Sequence, residues 1–159
     1  MKPSSSLSLE LDPSLPLVAA IAQLTKEFYE ETLEPKHVHR LRLITHELLE
    51  NAFAHGVGGS IRLSIEIGPE ADGSIARVAT WNRVDSRRAQ LLRETLAKLQ
   101  AASDLLMHYQ GALRTAAEHP HGPGAGLARL RAECDATISS HFDEEAAIVT
   151  IVAETRVLP

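Results

Sequence analysis

The segment from Ile44 to Gly56 constrains the fold of this chain more than any other. Together with the preceding Leu41, its apolar residues recur at helical spacing and predict an amphipathic helix; they are Ile44, Leu48, Leu49, Ala52 and Phe53. Glu47 and Asn51 lie four residues apart, so the helix presents both on one face. Such a pair is either a solvated polar stripe or one wall of a ligand site, where Asn51 would offer an oxygen to a hard cation and Glu47 would act as a base. Spacing alone leaves both interpretations open.

The rest of the chain predicts an α+β fold in a single domain spanning residues 1–159. Val18, Ile21, Leu24 and Phe28 indicate the buried stripe of the first helix. Residues 1–3 and 157–159 are expected to be loosely held. The predicted elements are strands at 4–11, 61–67, 74–81, 137–141 and 146–155, helices at 17–32, 35–56, 86–101, 104–118 and 125–135, a hairpin loop at 69–73 and a loop at 119–124.

Composition excludes several classes of function. The 159 residues carry a net charge of −5 and no basic block, which argues against nucleic acid as the main partner. No apolar segment approaches the roughly 20 residues that span a bilayer, and no apolar core follows Lys2, so we expect a cytoplasmic protein without a membrane partner. The single cysteine, Cys134, allows no internal disulfide and is expected to be a buried, unreactive thiol.

Two segments resemble motifs of one protein family. The sequence E-L-L-E-N-A-F-A-H-G at 47–56 resembles the N-box helix of the GHKL, or histidine-kinase-like, ATPases with the Bergerat fold. The sequence G-P-G-A-G-L-A-R-L at 122–130 resembles the glycine-rich segment with which that family closes over ATP phosphates. The nearest variants are the bacterial anti-sigma-factor serine/threonine kinases and the SiaB-like regulators. The resemblance implies a two-layer α/β sandwich, with helices covering one face of a mixed, mainly antiparallel sheet.

The resemblance also implies a set of site residues. Asn51 would hold Mg²⁺, Glu47 would be the catalytic residue that orients the acceptor hydroxyl, and His55 would lie near the phosphates of ATP. The remaining cofactor-binding positions would be Asn82, Gly122, Gly124, Gly126 and Leu127. Histidines such as His46 and His119 have no spacing typical of a zinc site, so a separate metal centre is not favoured.

The motif with which the family binds adenine is missing from this chain. Family members carry an Asp-x-Gly-x-Gly box after the strand that ends here near Trp81, whereas this chain has T-W-N-R-V-D at 80–85 and no glycine between Gly73 and Gly111. Asn82 could replace the aspartate as a hydrogen-bond acceptor. Trp81 would either stack on a base or pack in the core or in a groove. Asp85 could also act as that acceptor, although Asp85 or Ser86 is expected to cap the following helix.

Two functions follow from this resemblance. In the first, the chain is a bacterial partner-switching regulator that binds a small anti-sigma-antagonist-like protein and phosphorylates its Ser or Thr with Mg-ATP. In the second, it is a non-catalytic binding module that kept the ATPase fold and lost nucleotide. The missing glycine box favours the second, while the Glu47 and Asn51 pair favours the first. A homodimer is compatible with either.

Overall fold

A computed structural model describes residues 5–118 and 124–157 of the chain. Within these residues the chain forms five strands and five helices. In chain order they are β1 (Ser5–Leu11), α1 (Leu15–Tyr29), α2 (Pro35–His55), β2 (Ile61–Glu70), β3 (Gly73–Arg83), α3 (Ser86–Ala101), α4 (Leu105–Glu118), α5 (Ala125–Cys134), β4 (Thr137–Asp143) and β5 (Ile148–Val157).

The strands form one open sheet in the order β1-β2-β3-β5-β4. Every pairing among these described strands is antiparallel, so the expectation of a mixed sheet is wrong in this respect. In β2 alternate residues are buried on one face, as its period of two predicts. The helices pack on that face, which confirms the α+β class and agrees with two layers.

Helix α2 is the centre of the core. It contacts α1 and α5 on its flanks and β2, β3 and β5 beneath it. Leu41, Ile44, Leu48 and Leu49 are fully buried, as their spacing predicts, whereas Phe53 remains 38% exposed. Pro35 opens the helix where its missing N–H costs no hydrogen bond, and Gly56 ends it.

Two predictions about the first half of the chain need correction. Helix α1 buries Val18, Ile21, Ala22, Thr25 and Tyr29, whereas Leu24 and Phe28 of the predicted stripe are exposed. The β2–β3 hairpin is also tighter than expected, because the ladder continues to the pair Glu70 and Gly73. The turn is therefore Ala71–Asp72, and the positive φ of Gly73, 148°, suits the residue that follows it.

The chain ends agree only in part with expectation. The sequence predicts a loose end from residue 157, but Val157 is buried and pairs with Ser74 at the end of β5. The loop expected at 119–124 lies outside the described residues except for Gly124, as do the loose ends at 1–3 and 158–159. None of the described helices is both long and apolar enough to cross a membrane.

Helix α3 begins and packs as the sequence predicts. The Asp85 carboxylate accepts a hydrogen bond of 2.8 Å from the backbone N–H of Arg88, which caps the helix. Leu92, Leu96 and Leu99 are buried against the rest of the core, whereas the neighbouring Leu91 is 44% exposed. Side-chain burial on one face of α3 therefore holds this helix in place.

We predict that Leu96→Ala lowers the free energy of unfolding by about 2–5 kcal/mol, because it removes a buried side chain and leaves a cavity. Leu91→Ala, on the same helix, should cost less than about 1 kcal/mol, because Leu91 is largely in water already. Chemical denaturation of both variants measures the difference. Equal losses would show that α3 does not pack as described.

Candidate functional site

The C-terminal end of α2 meets the C-terminal end of β3 at a small cavity. Asn51 and His55 reach it from α2, and Asn82 reaches it from β3. The antiparallel sheet places Asn82 opposite Val149 of β5, which closes the floor. The structure therefore brings together three of the residues that the family resemblance assigned to a nucleotide, although Asn51 and Asn82 belong to different elements that are far apart in sequence.

Trp81 lies on the other face of the sheet. Successive residues of a strand point to opposite faces, so Trp81 cannot share the cavity with Asn82. The Arg62 guanidinium lies 5.9 Å from the centre of the Trp81 ring, a distance that allows a cation–π contact. Trp81 therefore cannot stack on a base in this cavity. It also does not pack in the core between the sheet and the helices, because it lies on the other face of the sheet.

Asn82 is the most unusual polar group of the cavity. The residue is only 5% exposed, and its amide nitrogen donates a long hydrogen bond of 3.4 Å to the Arg83 carbonyl. Its Oδ1 is buried without a hydrogen-bond partner among the described residues. A buried acceptor without a partner costs about 1–3 kcal/mol, so this atom could accept a hydrogen bond from a ligand or a water molecule.

The cavity is electrostatically unfavourable for a cation. Burial lowers the pKa of His55, and the positive charge of Arg88 lowers it further. Arg88 also lines the cavity, and the lining contributed by the described residues contains no carboxylate. Mg²⁺ binds through several oxygen ligands, of which this wall offers only the amide oxygens of Asn51 and Asn82. In this arrangement the residues present do not fit a Mg²⁺ ion.

Helix α3 closes the cavity from above. Arg88, Leu91 and Leu92 form its roof, and the remaining space is about 20 Å³. That volume holds about one water molecule, whereas pockets for organic ligands measure about 300–1,000 Å³. An adenine ring does not fit beneath α3 in this conformation.

Glu47 lies outside this cavity and faces α5. Its Oε1 accepts a hydrogen bond of 3.2 Å from Arg129, whose Nε also donates to Glu133 at 2.9 Å. Its Oε2 lies against Gly126, where an added Cβ would collide with it. The carboxylate thus contacts the first turn of α5, a favourable position because a helix N-terminus carries partial positive charge.

Burial is the main influence on the pKa of Glu47. Burial raises the pKa of the Glu47 carboxyl, the hydrogen bond from Arg129 offsets part of the rise, and the nearby Glu50 adds to it. His46, Glu47 and Glu50 bring one ligand atom each within 4.8 Å of one another, a spacing that could hold a metal ion. The pairing of Glu47 with Arg129 competes with that use.

The phosphate-loop residues are only partly described. Gly122 lies outside the described residues. Gly124 precedes α5 with a φ of 137°, and the position of its missing Cβ is 3.5 Å from the Thr95 methyl group of α3. Leu127 is buried in the core, so only its backbone could reach a ligand. Glu47 and α3 therefore already contact the start of α5.

Three residues of this region were not predicted as site residues. Arg129 pairs with Glu47 across 82 positions of sequence, a distance over which one sequence gives no signal. Arg88 is one of three arginines between positions 83 and 88, a pattern that is also typical of a solvated helix start. Leu91 follows the helical period of α3, but nothing in the sequence shows that it would cover Asn51.

No protein-family model matches this chain, and no curated protein matches it either. The similarity to histidine-kinase-like ATPases therefore remains a resemblance of two short motifs. What the structure adds is independent of that resemblance: a narrow cavity at one end of α2, lined by both polar and apolar side chains, and an ion pair between α2 and α5.

We predict that Glu47→Gln removes part of the pH dependence of stability. Because the folded-state pKa of Glu47 is raised above the unfolded value of 4.5, its contribution to stability is complete below that pH and is lost as pH rises through the folded-state pKa. A glutamine side chain cannot ionise, so the variant should lose less stability between pH 4.5 and neutral pH than the parent chain.

Urea denaturation at several pH values measures this difference. Glu27→Gln is the control, because Glu27 is an exposed carboxylate on α1 that does not contribute to the pKa shift of Glu47. Parallel curves for Glu47→Gln and the parent chain would contradict the burial of Glu47.

Proposed function

We propose that this chain is a non-catalytic regulatory module that binds a protein partner and keeps its former nucleotide position closed. The observation that carries the proposal is the roof of Arg88, Leu91 and Leu92 over Asn51 and Asn82. It leaves a space suited to one water molecule at the place where the motif resemblance would put a nucleotide.

The contact between Glu47 and the start of α5 supports the same proposal. In the family pattern, the start of the helix after the glycine-rich segment faces phosphate groups. Here the carboxylate of Glu47 lies against Gly126 at the start of α5, and Arg129 holds it there. An anionic side chain thus takes the place in which phosphate would be stabilised by the helix N-terminus. It also withdraws Glu47 from the role of a base.

Binding of a protein is supported by the surface of α4. Among the described residues this helix has no buried side chain, although Leu105, Tyr109 and Ala112 are partly covered. Leu106 is 61% exposed and Met107 is 64% exposed. A helix of 14 residues with so little burial gains little stability from its own chain, and a partner that covers these side chains would stabilise it.

A second candidate function is a Mg-ATP-dependent protein Ser/Thr kinase that needs α3 to move. It is favoured by the convergence of Asn51, His55 and Asn82, and by the acceptor atom of Asn82 that has no partner among the described residues. A kinase would require both α3 and the Glu47–Arg129 pair to rearrange. The closed arrangement favours the first proposal.

We predict that Mg-ATP and Mg-ADP neither bind nor stabilise the protein. A nucleotide present at about 100 times its Kd would stabilise the folded chain by about 2.7 kcal/mol, a shift that thermal unfolding detects easily. We expect no shift at millimolar nucleotide and no heat of binding by isothermal titration calorimetry.

The variant Asn51→Ala makes this test specific. If nucleotide binds the parent chain and Asn51→Ala abolishes the Mg²⁺-dependent part of the affinity, the first proposal fails and the site is a nucleotide site, as the kinase candidate requires. Glu50→Ala, one position earlier on an exposed part of α2, is the control for a general effect on the helix.

A further inference from the structure

A groove opens at the surface between α1 and α2, separate from the cavity beneath α3. It is lined from α1 by Gln23 and Lys26, and from α2 by Val38, His39 and Arg42. The spacing of three and four residues places each set on one face of its helix. The space between the two faces is about 440 Å³, within the range of about 300–1,000 Å³ that is typical of pockets for organic ligands.

The lining of this groove has an excess of positive charge. Lys26 and Arg42 are cations, and Glu30 is the only carboxylate that the described residues contribute to the lining. The Lys26 Nζ and the Glu30 Oε2 lie 3.9 Å apart, and about half of each side chain is exposed, so this ion pair is weak. Two cations and one carboxylate give the groove a net charge of +1, whereas the whole chain carries −5. The groove therefore attracts an anion locally.

Arg42 and His39 have hydrogen-bond donors to offer an anion. Their side chains make no hydrogen bond or ion pair with the part of the chain that the structure describes. A guanidinium presents a planar fork of N–H groups that matches the two oxygens of a carboxylate, and an imidazole adds another donor. The two residues lie three positions apart on α2, so they are neighbours on its surface and can reach the same ligand group.

The groove also offers apolar surface. Val38 is only 4% exposed, whereas the polar residues around it are exposed, so its side chain lies beneath them. Pro35 adds its ring to the same lining. An inorganic anion bound by Arg42 would leave this apolar surface in water, whereas an organic anion would cover it. The groove is therefore suited to a ligand with one charged end and an apolar body.

We propose that this groove binds a small organic carboxylate, whose carboxyl group pairs with Arg42 and whose apolar body covers Val38 and Pro35. A monoanion matches the net charge of the lining. A nucleotide triphosphate carries several negative charges, and the Glu30 carboxylate in the lining would repel them. The inference does not depend on the proposed function, because neither α3 nor Asn51 lines this groove.

Three probes separate the contribution of charge from that of apolar contact. Phenylacetate has a carboxylate and an apolar body, phenylacetamide has the same body without the charge, and acetate has the charge without the body. In ¹H–¹⁵N NMR spectra of the full chain, phenylacetate should shift the amide signals of Lys26, Val38 and His39 but not that of Ser139 on β4. We expect a Kd of about 1–10 mM for a probe of this size, and binding at least about tenfold weaker for the other two probes.

Two arginine variants locate the binding site. Arg42→Gln should weaken phenylacetate binding by about tenfold or more, because the charge-assisted hydrogen bonds to the carboxylate are lost. Arg114→Gln is the matched control: it removes the same charge from an exposed position on α4 and should change Kd by less than about twofold. Lys26→Gln repeats the test from α1 if Arg42→Gln unfolds by circular dichroism, and it should also weaken binding.

Three results would overturn the proposal. The first is the absence of any shift of the groove amides at phenylacetate concentrations well above the expected Kd. The second is equal binding of phenylacetate and phenylacetamide, which would show that the charge is not recognised. The third is equal weakening by Arg42→Gln and Arg114→Gln, which would show that the carboxylate responds only to the overall charge of the protein.

Discussion

The packing of α2 between α1, α5 and the sheet is the constraint on which the rest of the structure depends. Its buried side chains, Leu41 to Ala52, fix the rotation of the helix about its own axis. Once that rotation is fixed, Asn51 and His55 must point to the end of β3, and Glu47 must point to α5. The polar residues therefore have two different environments, although Glu47 and Asn51 are only one turn apart. One lies in an ion pair between helices, and the other lines a closed cavity.

The sequence could predict most of these elements, because hydrophobic periodicity distinguishes a strand from a helix and a capping residue marks where a helix begins. The alternation in β2, the cap at Asp85 and the stripe of α3 each indicate the observed element. Helix α1 shows where such reasoning fails. Its apolar residues form one wide band, in which Phe28 lies only about 20° from Ile21 around the helix, and periodicity cannot tell which side of the band faces the core. The convergence of Asn51 and Asn82 was predicted only through a family resemblance, and the ion pair between Glu47 and Arg129 was not predicted at all.

The closure of the cavity follows from the short connection after β3. The Val57 N–H donates to the Arg83 carbonyl, and the Val84 N–H donates to the Ala147 carbonyl, so the backbone is held up to the residue before the cap. Asp85 then starts α3 at once. A chain with glycines at this point could turn around a ligand before a helix begins. Here the connection between Asn82 and α3 contains no glycine, so the helix begins directly after the strand. Arg88, in the first turn of α3, therefore lies against the end of α2.

This connection also determines what opening would cost. Lifting α3 from the core would expose Leu92, Leu96 and Leu99, at about 1.5–3 kcal/mol for each fully buried side chain, or about 5–9 kcal/mol together. A ligand with an intrinsic Kd of about 1 μM gains about 8 kcal/mol on binding, so most or all of that gain would be lost. The binding of nucleotide alone would therefore leave little or no net free energy for lifting α3 from the cavity. A protein that covered the released leucines of α3 would offset the same cost directly, and this is why the closed cavity favours control by a partner over control by nucleotide.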